Sequence, residues 1–207
     1  MSAMIYYLLD ASALVLKYTP NPDKYVQRAK AVMEAIEAQR KEKEVFLFLP
    51  NFCVVEAFNT LAKWFWREKR FHAKGQYEDA CKALERDVKR LDELGDKRRF
   101  YAYDLHRYHV LNCNKVFETE HTTDLEPDSK YPGRFKSPLS TFDVLIIAMG
   151  MELKKVHAGQ SVYIATGDKR LALIAEELSK KSPDEFARVI YVYRITESYI
   201  RMLAGLP

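Results

Sequence analysis

Residues 4–12, MIYYLLDAS, decide how this chain is read. Six apolar or aromatic residues run without a break and stop at Asp10, followed by the small residues Ala11 and Ser12. A short, continuous apolar run is the pattern of a strand covered on both faces, as in a parallel sheet. Nothing basic precedes the greasy stretch 4–16, and Asp10 interrupts it, which argues against a signal peptide.

Four more segments of this kind follow: 45–49 (VFLFL, closed by Pro50), the weaker 99–103 (RFYAY), 161–166 (SVYIAT) and 188–193 (RVIYVY). They are short and rich in Val, Ile, Tyr and Phe, as buried strands are. Between them, apolar residues recur at helical spacing. Val26, Ala29, Met33 and Ile36 line a helix over 23–41, and another follows Pro50 over 51–70. Ala80, Leu84, Val88 and Leu91 line a third over 76–94 that stops at Gly95. Further helices are expected over 105–119, 141–157 and 169–180, with a short last one near 197–203. Strands alternating with helices imply an α/β fold, a doubly wound, mainly parallel sheet of five strands with helices on both faces.

The chain has 207 residues, a length that suits one domain spanning 1–207. A hydrophobic share of 48% excludes a disordered chain, and no apolar run reaches the roughly 20 residues of a bilayer span. The three cysteines, Cys53, Cys81 and Cys113, are odd in number and widely spaced, which fits reduced thiols in a cytoplasmic protein. His106, His109 and Cys113 can share a helix face, but no second ligand pair follows at zinc-finger spacing. One stretch, 118–139, breaks the pattern with acids, then Tyr131-Pro132-Gly133, then bases. It reads as an extended surface insertion, and loops of that length are usually functional or mobile.

The net charge of +4 is concentrated: residues 63–99 hold twelve basic and eight acidic residues. Lys63, Arg67, Lys69, Arg70 and Lys74 alternate there with Trp64, Trp66, Phe71 and His72. Such a surface can hold a phosphate backbone and stack bases. The plainer reading is a solvated helix whose tryptophans reach the core.

Doubly wound sheets bind ligands outside the carboxyl ends of their strands. Four acids map to that edge: Asp10 after the first strand, Glu56 in the helix after the second, Asp143 opening the helix at 141, and Asp168 after the fourth strand. Asp10 and Asp168 also suit helix caps, and Ser140 with Asp143 suits a capping box. Glu56 lies beyond the usual cap positions with apolar neighbours, so it is either buried and paired or faces a cleft. Taken together, clustered carboxylates repel, and a divalent hard cation relieves the repulsion. A carboxylate-held Mg²⁺ or Mn²⁺ site is suited to phosphodiester cleavage.

In these residues the chain resembles the PIN-domain family of metal-dependent nucleases, which mostly act on RNA and include the toxins of VapBC toxin–antitoxin pairs. The family's strand ending in Asp-x-Ser is matched by Asp10 and Ser12, and its helical acid by Glu56. Its helix opening with Asp and continuing with small residues is matched by Asp143, Ala148 and Gly150. Its Thr-x-Asp is matched by Thr166 and Asp168, with Leu171 three residues on. The likeness runs in order over nearly the whole chain. It departs in its extra length between Glu56 and Asp143 and in lacking a second Asp beside Asp168, where Lys169 and Arg170 stand.

The resemblance implies strand order 3-2-1-4-5, with Asp10 and Asp168 flanking the point where the topology reverses. It implies that Asp10, Glu56, Asp143 and Asp168 hold Mg²⁺ or Mn²⁺ and carry endoribonuclease chemistry, with Ser12 and Thr166 fixing the carboxylates. RNA would lie on Lys63, Arg67, Lys69, Arg70, Lys169 and Arg170. Expected partners are an RNA substrate, an antitoxin protein and a second copy of the chain, and no membrane. The alternative is a non-catalytic RNA- or protein-binding module of the same fold, in which the acids serve as caps. A phosphotransfer receiver would need an acidic neighbour for Asp10, which is absent, although Asp104 follows the third strand.

Overall fold

A computed structural model describes residues 4–20, 24–39, 45–90, 100–123 and 138–194. Its centre is a five-stranded sheet in the order β3-β2-β1-β4-β5, formed by β1 (Ile5–Leu9), β2 (Val45–Pro50), β3 (Tyr101–Tyr103), β4 (Ser161–Thr166) and β5 (Arg188–Tyr191). Every pairing is parallel, and the order is the one expected. β1 is the middle strand, and Tyr6 to Leu9 are buried in succession, which is why its sequence shows no alternation.

The helices are α1 (Ala11–Leu14), α2 (Lys24–Gln39), α3 (Asn51–Trp66), α4 (Lys74–Lys89), α5 (Arg107–Thr122), α6 (Thr141–Val156) and α7 (Lys169–Lys181). Buried Leu, Ile and Val from strands and helices form one core, each such side chain stabilising the fold by about 1.5–3 kcal/mol. Gly150 lets α6 lie close on β4: a Cβ there would come within 2.6 Å of the Ile164 Cδ1.

Several boundaries differ from expectation. Leu14 leads directly into a 3-10 turn, Val15–Tyr18, so the apolar run does not stop at β1 but folds back as α1 and this turn. α3 ends at Trp66 rather than at residue 70, because the chain reverses there. Arg67 and Glu68 both donate to the Lys63 carbonyl, and Lys69 takes φ 54°, which a helix cannot continue through. α5 runs on through Thr122, so the insertion cannot begin at 118. Its inner face follows His109, Cys113, Val116 and Glu120 at helical spacing, which carries the helix into the acidic stretch. Residues 124–137, 91–99 and 195–207 lie outside the described residues. So do the rest of the expected insertion, the end of the third helix and the short last helix.

Candidate functional site

Asp10 stands where the β1–β4 ladder ends. Leu9 pairs with Ala165, and the Asp10 amide donates to the Ala165 carbonyl at 3.0 Å, so the buried Asp10 carboxylate lies beside Thr166. The Thr166 hydroxyl donates to Asp10 Oδ2 at 2.7 Å, and the Ser12 hydroxyl donates to the same oxygen. Each hydroxyl also accepts a backbone N–H: Ser12 from Gly167 at 2.8 Å, Thr166 from Asp168 at 2.9 Å. A hydroxyl has one proton to give. With an amide donating to each oxygen, both protons are directed at Asp10, and the carboxylate is fixed. Asp10 occupies the N-cap position of α1, yet its side chain caps nothing.

The other two aspartates do cap. Asp168 Oδ1 accepts the Leu171 amide at 2.9 Å at the start of α7. At the start of α6, Asp143 Oδ2 accepts the Ser140 amide at 2.8 Å, while Ser140 Oγ accepts the Asp143 amide at 3.2 Å. Glu56 is half-buried on α3, and among the described residues it makes no hydrogen bond or ion pair. Its carboxylate, that of Asp10 and the Cys53 thiol lie within 4.8 Å of one another. Asp143 and Asp168 stand farther out; among the described residues no triple that includes either meets that limit.

The acids act on one another all the same, behind a larger effect of burial. Burial, then the charges of Asp143 and Asp168, push Asp10 up to about 6 against the pull of the Ser12 and Thr166 hydrogen bonds. Burial, then Asp10 and Asp143, push Glu56 up to about 7. Burial raises Asp143 as well, opposed by Ser140 and reinforced by Asp168 and Glu120. Among the described residues, no ion pair neutralises any of the four acids. Burial, then the charges of Asp10 and Glu56, drive the Cys53 thiol far upward, so in the metal-free protein it is a neutral thiol that walls the site. The oxygen donors that remain suit a hard divalent cation.

The basic residues fall into two groups. Lys63 pairs with Glu68 at 3.3 Å, and Arg70 pairs with Glu68 at 2.7 Å while lying over the Trp64 ring. Arg67 and Lys69 are exposed. Trp64 and Phe71 are in the core, as the plainer reading has it, but Trp66 is 59% exposed. Arg67 is eleven residues from Glu56, about 16 Å of chain at a helical rise. Arg170 is committed inward: its guanidinium binds Glu120, 2.7 Å from Nη2 and 3.2 Å from Nε. Lys169 is exposed on the first turn of α7.

His106, His109 and Cys113 do not form a metal cluster. His109 Nδ1 accepts the His106 amide, its Nε2 faces the Tyr103 hydroxyl, and Cys113 Sγ donates to the His109 carbonyl. Glu120 and Cys53 join the site without having been expected there. The helical spacing that ends at Glu120 was the available signal, hidden by the acids that follow it. A cavity of about 500 Å³ opens at the opposite edge of the sheet, between Lys154, Gln160, Phe186 and Arg188, and is separate from the acids.

No family model and no curated protein matches the chain. Among solved structures, it is similar to VapBC2 from Rickettsia felis, captured bound to a DNA fragment from its promoter. The identity is 11%, the TM-score 0.46, and the match covers 89% of this chain and 98% of that one.

Proposed function

We propose that this chain is a Mg²⁺- or Mn²⁺-dependent endoribonuclease of the PIN type, and that it acts as the toxin of a toxin–antitoxin pair. The observation that carries the reading is the meeting of the Asp10 and Glu56 carboxylates within 4.8 Å of each other at the carboxyl end of the sheet. Two neighbouring carboxylates are pushed to about 6 and about 7, and no basic side chain among the described residues relieves them. A fold with no use for the charges gains from replacing or pairing them.

Asp10, Glu56, Asp143 and Asp168 would hold the cation, directly or through waters. Such an ion would supply acidification of the attacking water and stabilisation of the charge that develops in phosphodiester cleavage. Ser12 and Thr166 hold Asp10 in one orientation. Glu56, whose carboxylate makes no hydrogen bond or ion pair among the described residues, is the group suited to take the proton of the attacking water. The water oxygen would bond to phosphorus as the bond to the leaving oxygen breaks, with the water's proton passing to Glu56 and a proton from solvent ending on the leaving oxygen. Phe142, 43% exposed and stacked on Phe52 at 5.2 Å, stands next to Asp143 and offers a face on which a base can stack. Arg67 and Lys69, with Lys63, Arg70 and Lys169 once they leave their present partners, carry the RNA backbone.

Asp10→Asn should reduce Mn²⁺-dependent cleavage of a single-stranded RNA by at least ~100-fold, on the scale of losing one key electrostatic group. Circular dichroism should stay unchanged. Full cleavage by that variant, or cleavage undiminished in excess chelator, rules the mechanism out.

The capping contacts of Asp143 and Asp168 favour a second reading, a non-catalytic binding module of this fold. Millimolar Mn²⁺ separates the two, since it raises the melting temperature of a metal-binding protein and leaves a bare binding module unmoved.

A further inference from the structure

We propose that the Glu120–Arg170 ion pair is a clamp that sets the spacing of Asp143 and Asp168, which makes Glu120 a positioning residue for the candidate metal site. The inference rests on the metal-site reading above and extends it to a residue outside the four acids.

Glu120 lies on the last turn of α5 and is 6% exposed. One of its oxygens, Oε1, accepts three hydrogen bonds: from the Leu139 amide at 2.6 Å and from Arg170 Nη2 and Nε at 2.7 and 3.2 Å. The two anchors matter because of what adjoins them. Leu139 immediately precedes Ser140, the N-cap of α6 that locks Asp143. Arg170 is two residues past Asp168, the N-cap of α7. A single carboxylate oxygen therefore ties the leading ends of the two helices that present the two outer acids.

Glu120 also differs in kind from its neighbours. Its charge is matched by Arg170 within a pair whose side chains are 3% and 17% exposed. A charge-assisted contact of two nitrogens on one oxygen is directional as well as strong. It needs no cation of its own and serves as a fixed strut beside a site that does need one. The contribution of Glu120 to the upward push on Asp143 agrees with that proximity. Groups behind metal ligands typically alter metal affinity 10–100-fold when removed.

The test uses the full chain with two variants. Glu120→Gln keeps the shape and loses the charge. Arg170→Lys keeps the charge and loses the planar fork, and it is the fallback should the first variant fail to fold. In metal-free protein, hydrogen exchange at the Asp143 and Leu171 amides should quicken by about 10-fold, with β1 amides unchanged. Mn²⁺ affinity by calorimetry should fall about 10-fold or more. Unchanged exchange overturns the clamp. A lower melting temperature with Mn²⁺ affinity intact reduces Glu120 to a structural residue and overturns the positioning role. If the unaltered protein takes up no Mn²⁺, the metal reading fails, and the exchange rates alone decide whether the clamp exists.

Discussion

Two groups of buried charge lie seven residues apart along the chain, and they are built on opposite plans. At the end of the 3-10 turn, the Lys17 ammonium sits between Glu37 at 2.7 Å and Asp87 at 3.0 Å. The Tyr18 hydroxyl donates to the same Asp87, and the Lys17 ammonium lies over the Phe100 ring at 4.8 Å. At the end of β1, Asp10 meets Glu56 with Asp143 and Asp168 beyond, and the described residues supply no cation. The first group staples the turn to α2 and α4, and its charges answer one another. Among the described residues the second has no such answer. A buried acid without a counter-charge is costly, which makes such a cluster a candidate for chemistry.

The largest effect should come from breaking the staple. Lys17→Met removes the ammonium between the buried Asp87 and the partly exposed Glu37, and losing one partner of a buried pair costs about 3 kcal/mol or more. Denaturant unfolding should show that loss, and a variant as stable as the parent would mean that the staple is not an ion pair in solution.

The same operation on the acidic group should have the opposite sign. In the folded chain Asp10 and Glu56 titrate near 6 and 7, above their ordinary values of 3.8 and 4.5. Between those limits the folded state binds more protons than the unfolded one. Stability of the metal-free protein must therefore fall as pH rises from about 4 to about 7. Asp10→Asn removes part of this and should raise stability at pH 7 by about 1–3 kcal/mol, at roughly 1.4 kcal/mol per tenfold change in proton affinity. Chemical unfolding across that pH range, in chelator and then in Mn²⁺, provides the check. A profile that is flat in chelator contradicts the strain assigned to the acids.

The smallest expected effect is steric. A Cβ on Gly167 would sit 3.1 Å from the Tyr193 ring and 3.2 Å from the Ser12 carbonyl. Gly167→Ala should cost about 1 kcal/mol, at the low end of overpacking, and disturb the Ser12 support of Asp10. A Mn²⁺ affinity equal to that of the parent would show that this support is dispensable.

The two groups also differ in how far a sequence shows them. Asp10 and Asp168 each follow an apolar run, so strand ends alone placed them at one edge, and the order of the strands followed the expectation. Lys17, Glu37 and Asp87 carry no such marker. They meet only because the turn after α1, α2 and α4 pack together, and pairing at that range has no local signature. Glu120 was hidden for a different reason. It lies among Glu118, Asp124, Glu126 and Asp128, where composition suggests a loop, although the helical spacing from His109 continues to it. Lys69 could not have been foreseen as a left-handed residue, since nothing in its type favours that conformation.

Gly150 never comes near an ion, yet it acts as the fulcrum of α6. Asp143 lies seven residues up the helix from it, a lever arm of about 10 Å. A methyl group there must displace either the Ile164 side chain or the helix, and only the second would tilt that arm. Ions of different radius need different distances between their oxygens. If the proposed metal site holds, its choice of ion would then be open to adjustment by evolution from the far side of the helix, with the four acids left as they are.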